Sequence, residues 1–162
     1  MPVKKLISVK IICSFIIILT GFTLISCNEN HYTKNDFSKV PKIDAHYHLY
    51  TGETGSLELA LKNNFRLLGI NTYSGDCGHV SDVHQWSKNA KINYPETFEY
   101  TATFCLEGWD EPGWSENTVA WLEQCLADGA VAVKVWKNIG MEFRNKDSTL
   151  IMIDDPAFDV IF

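Results

Sequence analysis

From residue 42 onward the spacing of apolar positions changes several times, and each change marks a predicted element. In "KIDAHYHL" (42–49) polar and apolar residues alternate. An extended chain then places Asp44, His46 and His48 on one face and Ile43, Ala45 and Tyr47 on the other. This predicts a first strand, closed by the glycine-rich "TGETG". Leu57, Leu61, Phe65 and Leu68 recur at helical spacing, which predicts an amphipathic helix over 57–68 stopped by Gly69. "INTYS" (70–74) reads as a second strand, followed by the turn "GDCGH" and a weaker helical stretch at 80–90 ahead of Pro95. "TFEYTATFCL" (97–106), rich in aromatic and β-branched residues, predicts a third strand. Ser115 then caps a helix with Glu116 in its first turn, Val119, Leu122 and Leu126 on one face, and Gly129 at its end. "AVAVKVWK" (130–137) is nearly continuous in apolar residues, as a parallel strand buried on both faces is. A polar loop with a small hairpin follows. "DDPAF" supplies an aspartate cap and Pro156 for a last helix.

Strands alternating with helices imply an α/β fold with right-handed parallel crossovers, either an open doubly wound sheet or part of a (β/α)₈ barrel. Ahead of this domain the pattern is different. Lys4, Lys5 and Lys10 precede the apolar run "IICSFIIILTGFTLISC" (11–27), the form of an export signal. "LISC" resembles the lipobox of bacterial lipoproteins, in which cleavage falls before the cysteine and the new terminus is acylated. The resemblance implies a signal peptide over 1–26 and an acylated Cys27; the polar, aperiodic residues that follow read as a tether over 27–40 that includes His31. The resemblance places the protein in the bacterial cell envelope, on the periplasmic or surface face, with a lipid membrane as partner. An uncleaved transmembrane anchor over 6–25 is the other reading. The remaining 41–162 form the domain.

Charge and cysteine change with export. Without the three leader lysines the 14 basic residues fall to 11 against 20 acidic ones, a balance of −9, which repels a phosphate backbone and argues against nucleic acid as a partner. Cys77, Cys105 and Cys125 sit where disulfides can form. Three is odd, their spacing matches no zinc ribbon, and Cys105 and Cys125 lie in apolar patterns, so they read as buried free thiols.

The chemistry concentrates at strand ends. His46 and His48 close the first strand just before a glycine loop, and the carboxyl ends of strands are where parallel α/β folds build sites. Neutral imidazoles suit zinc and similar divalent metals, and two on one face can converge on a single ion. In the fourth strand Lys134 shares a face with Ala130, Ala132 and Trp136, while Val131, Val133, Val135 and Lys137 share the other. With the valines packed on helices, Lys134 points to the same region as His46. A lysine there serves an anionic substrate group, an ion pair or a carbamate bridge; the plainer reading is a strand-end lysine reaching solvent. His79 and His84 read as surface histidines, and Trp109 and Trp136 as aromatic core filling, with the lining of a substrate pocket as the other reading.

"IDAHYH" resembles the D-x-H-x-H signature of the first barrel strand of the amidohydrolase superfamily, and "GAVAVKVWKNIGM…IDDPAF" resembles the fourth-strand region of its amidohydrolase-2 branch. The resemblance runs from about residue 42 to the end. It implies a distorted (β/α)₈ TIM-type barrel with one or two divalent metals, zinc or a similar ion such as manganese, held by His46 and His48. Lys134 matches a lysine that some members carboxylate, and Asp44 takes a supporting place behind the ligands. The implied reaction on a small-molecule substrate is hydrolysis, with metal-activated water attacking a C–N, C–O or similar bond. Such barrels need about 250 residues, so the 162 residues read as the N-terminal four β/α units, a fragment expected to be inactive alone. Two other classes stay open: a lipid-anchored α/β binding or surface protein, and a metal-dependent nuclease.

Overall fold

The computed structural model describes residues 31–73 and 76–162; the expected signal peptide and the acylation site Cys27 lie outside the described residues. Four strands alternate with three helices: β1 (Lys42–Tyr47), α1 (Gly55–Lys62), β2 (Phe65–Ile70), α2 (Cys77–Asn93), β3 (Phe98–Ala102), α3 (Trp114–Ala127) and β4 (Ala132–Val133). The strands form one parallel sheet in chain order, β1-β2-β3-β4. The protein is therefore α/β, with its strand ends gathered along one edge of the sheet.

Several expected boundaries move. The helix expected over 57–68 ends at Lys62, and Phe65 and Leu68 belong to β2. Asn63 and Asn64 separate the two elements, with Asn64 in the left-handed region at φ 58°, where asparagine is tolerated better than most residues. The face of α1 that packs inward is Leu57 and Ala60, while Leu61 is exposed. The second strand is 65–70 rather than 70–74, because pairing with β1 (Lys42↔Phe65, Asp44↔Leu67) claims the earlier residues. Tertiary pairing outweighs helical spacing here.

α2 is longer than its pattern suggests. Asp76 caps it, its carboxylate accepting from the Gly78 N–H at 2.8 Å. α3 begins at Trp114 after Gly113, which takes φ 85°, so Ser115 is not the cap; its hydroxyl donates to the Ala157 carbonyl at 3.3 Å. The buried stripe of α3 is Trp114, Thr118, Leu122 and Cys125, one step round the helix from the expected face, and Leu126 is exposed.

β3 carries the core. Phe98, Tyr100 and Ala102 are buried, and the extended segment beyond it continues inward with Phe104 and Leu106. Two indoles of α3 fix that segment: Trp121 Nε1 donates to the Thr103 carbonyl at 2.9 Å and Trp114 Nε1 to the Cys105 carbonyl at 3.0 Å. β4 is shorter than the expected 130–137, yet the ladder runs past its ends, with Val131 N donating to Tyr100 O at 2.9 Å and Lys134 N to Ala102 O at 2.7 Å. Val131 does not pack on a helix; it is 56% exposed, while Val133 and Val135 pack partly against the core. The loop after β4 holds an isolated antiparallel bridge, Arg144↔Leu150, then a 3₁₀ turn at Pro156–Phe158 capped by Asp155. Phe158 is fully buried between Trp109 and Trp114.

The cysteines pair differently from the expectation. Cys77, opening α2, and Cys105, just beyond β3, form a disulfide, and Cys125 is the buried free thiol among the described residues. Sequence pattern showed Cys105 as apolar filling because its partner is 28 residues away and meets it only through the β3–α2 packing. No helix among the described residues is long and apolar enough to cross a membrane.

Candidate metal centre at the carboxyl edge of the sheet

The carboxyl ends of all four strands contribute to one cleft of about 330 Å³. His46, His48 and Tyr50 come from the end of β1, Thr72 and Tyr73 from the segment after β2, Thr103 from beyond β3, and Lys134, Trp136 and Lys137 from beyond β4. A parallel sheet forces this convergence, since every strand ends at the same edge.

The two histidines meet there. Their Nε2 atoms lie 3.1 Å apart. Two imidazole nitrogens on one tetrahedral zinc, each at about 2.0–2.1 Å, sit roughly 3.3 Å from one another, so the pair is already close to chelating distance. The His48 ring is also oriented from behind: its Nδ1 lies 2.9 Å from the Ile70 carbonyl oxygen at the end of β2. A carbonyl only accepts, so Nδ1 carries the proton and a neutral His48 offers a lone pair at Nε2. That lone pair faces His46 Nε2, and a divalent metal would bind to it. Tyr50 stacks on the His48 ring, centroids 5.4 Å apart.

Asp44 stands apart from the cleft. Its carboxylate accepts from the backbone N–H of His46 at 3.0 Å, so it holds the strand beside the histidine rather than either ring. Lys134 does reach the cleft, half-buried, with its backbone carbonyl accepting from the Thr103 hydroxyl at 2.9 Å. Its ammonium has no carboxylate within ion-pair distance among the described residues. Trp136 and Trp109 both pack partly against the core, Trp109 beside Phe143 and Phe158, and Trp136 also lines the cleft, meeting Tyr73 edge-to-face at 4.8 Å. Burial, then the nearby carboxylates of Glu107 and Asp76, push the Tyr73 phenol above its ordinary value, so it stays a neutral hydrogen-bonding group.

Sequence parity missed Lys137, placed with the valines but found in the cleft. β4 ends at Val133, so alternation no longer governs residues 134–137. Thr72 and Thr103 carry no sequence signal, being ordinary threonines until the sheet aligns them. His84, expected at the surface, is buried: its Nε2 lies 3.0 Å from Asp128, which also pairs with Lys88 at 2.7 Å. Those contacts, Lys88 first and His84 second, hold the Asp128 carboxyl down at about 2. This cluster ties α2 to the end of α3, away from the cleft.

What fold and site define is an α/β domain with a paired-histidine cleft at the carboxyl edge of a parallel sheet. No protein-family model, curated protein or solved structure matches the chain.

Proposed function

We infer that the protein is a metal-dependent hydrolase of the amidohydrolase type, and that the four-stranded sheet is the first part of a (β/α)₈ barrel. The observation that carries this reading is the 3.1 Å approach of His46 and His48 Nε2 in a cleft shared with Lys134. The strand order supports the barrel, because doubly wound sheets reverse direction at a switch point and this sheet runs β1 to β4 without one.

His46 and His48 would hold a divalent ion, zinc or a similar metal such as manganese. A bound ion there supplies Lewis acidity for water and for the carbonyl or phosphoryl oxygen under attack. The chain's own residues do the rest. Ile70 keeps the His48 ring turned so that Nε2 faces the cleft, and Asp44 steadies the backbone at the His46 N–H. Lys134 presents a cation to an anionic group of a small-molecule substrate, or is itself the lysine that carbon dioxide converts to a carbamate ligand. Tyr73 and Trp136 form an apolar wall for the rest of that substrate.

The test is elemental analysis of purified protein loaded with zinc or manganese. His46→Ala and His48→Ala each lose most of the bound metal. Unchanged metal content in either variant removes the assignment and favours a non-catalytic envelope protein. The export reading is tested separately: a fatty-acid analogue labels the wild type, and Cys27→Ala loses the label and its membrane association.

A further inference from the structure

A second group of ligating side chains lies outside the histidine cleft. Cys77 Sγ, Cys105 Sγ and a carboxylate oxygen of Glu107 all fall within 4.8 Å of one another. Cys77 Sγ is 3.2 Å from Glu107 Oε2, and the Glu107 backbone N–H donates to Cys105 Sγ at 3.3 Å. Cys77 is the first residue of a 17-residue helix, a position that favours negative charge on its sulfur. Both sulfurs are half-buried and Glu107 is exposed, so reductant and metal alike have access.

We propose that Cys77, Cys105 and Glu107 form a redox-gated binding site for a thiophilic divalent cation such as Zn²⁺. In the oxidised protein the two sulfurs are joined and the site is closed. A dithiol reductant opens it: its two sulfurs are oxidised to a disulfide, the two electrons pass to the Cys77–Cys105 bond, and its two protons end on the separated sulfurs. Binding of M²⁺ then releases those protons. Two thiolates and one carboxylate supply three ligands and leave a fourth position open, the donor set of an exchangeable zinc site. The N–H of Glu107 on Cys105 Sγ and the first turn of α2 at Cys77 each stabilise a thiolate without being ligands themselves. Since Cys105 follows β3 directly and Cys77 follows the Tyr73 segment, the site spans the same sheet edge as the cleft yet shares no residue with it.

The site does not rest on His46 and His48, so it is measured in the full-length His46→Ala/His48→Ala chain, where the other centre is absent. The protein is reduced with a dithiol, freed of it anaerobically and titrated with Zn²⁺, or with Co²⁺ to read thiolate-to-metal absorption. The reduced chain takes up one equivalent and shows that absorption, and the oxidised chain does neither. Cys77→Ser loses both. Glu107→Gln, at an exposed position that leaves the fold intact, weakens Zn²⁺ binding at least about tenfold. Equal uptake in the two redox states, uptake surviving in Cys77→Ser, or unchanged affinity in Glu107→Gln would each overturn the site.

Discussion

β1 and β3 belong to one parallel sheet, separated only by β2, yet they do opposite things. β3 is buried along almost its whole length, while every residue of β1 is exposed or half-buried and Ile43 is 76% exposed. β3 lies between two neighbours, with helices α2 and α3 packed on it; β1 pairs on one side only. The lesson is a division of labour: the enclosed strand carries stability, and the open strand, with the residue just after it, carries the candidate ligands. Polar side chains such as Asp44, His46 and His48 cost little where water still reaches them and would cost several kcal/mol at the level of Phe98.

The sharpest way to break this contrast is to cut one residue from each strand. Phe98→Ala removes a ring with no exposed surface, and is expected to lower the unfolding free energy by roughly 3–5 kcal/mol in urea denaturation. His46→Ala should shift it by no more than about 0.5 kcal/mol. Comparable losses would show that β1 supports the fold as much as β3. The same His46→Ala, or His48→Ala, should weaken divalent metal binding by at least about a hundredfold, equivalent to about 2.7 kcal/mol, read by calorimetric titration. Phe98→Ala, where it stays folded, should leave that affinity within a few-fold.

A smaller effect probes β2, the strand between them. A Cβ on Gly69 would lie 2.8 Å from Cε2 of Phe98, so Gly69→Ala should cost about 1–3 kcal/mol. In the Phe98→Ala background the space exists and most of that penalty should vanish, which a double-mutant cycle measures. A fully additive cycle would contradict the close approach.

The mildest prediction concerns acid. Contacts from Lys88 and His84 lower the Asp128 carboxyl from its ordinary 3.8 to about 2 in the folded state. A depressed carboxylate contributes stability that is complete above its unfolded value and disappears as pH falls through the folded one. Asp128→Asn should therefore be less stable than wild type at neutral pH, with the gap closing as pH falls from about 4 to about 2. A gap independent of pH would mean that the charge of Asp128 does not tie α2 to α3.

Part of this molecule is readable along the chain. Alternation in "KIDAHYHL" predicts the first strand, found over Lys42–Tyr47, but the register with β2 slips between Asp44 and Tyr47 and the strand ends before His48, so alternation alone does not bring His46 and His48 together. The βα alternation likewise gives a parallel α/β sheet, since parallel neighbours need a crossover. The Asp155 cap with Pro156 is a local motif and is found where it is expected, though the turn is 3₁₀. Residues 57–68 fail for a physical reason: Leu57, Leu61, Phe65 and Leu68 satisfy helical spacing, but a strand competes for Phe65 to Ile70 through pairing with β1, and that partner is more than twenty residues away.

By itself, then, the sequence determines where β1 begins and the order of strands and helices, because both follow from backbone periodicity and short-range turn chemistry. Only the tertiary structure decides what those elements face. It brings the Ile70 carbonyl behind His48, turns Lys137 into the cleft, buries His84 against Asp128 and joins Cys77 to Cys105. Each of these joins segments set together by sheet pairing, helix docking or a chain turn, and no short-range pattern encodes which segments pack together.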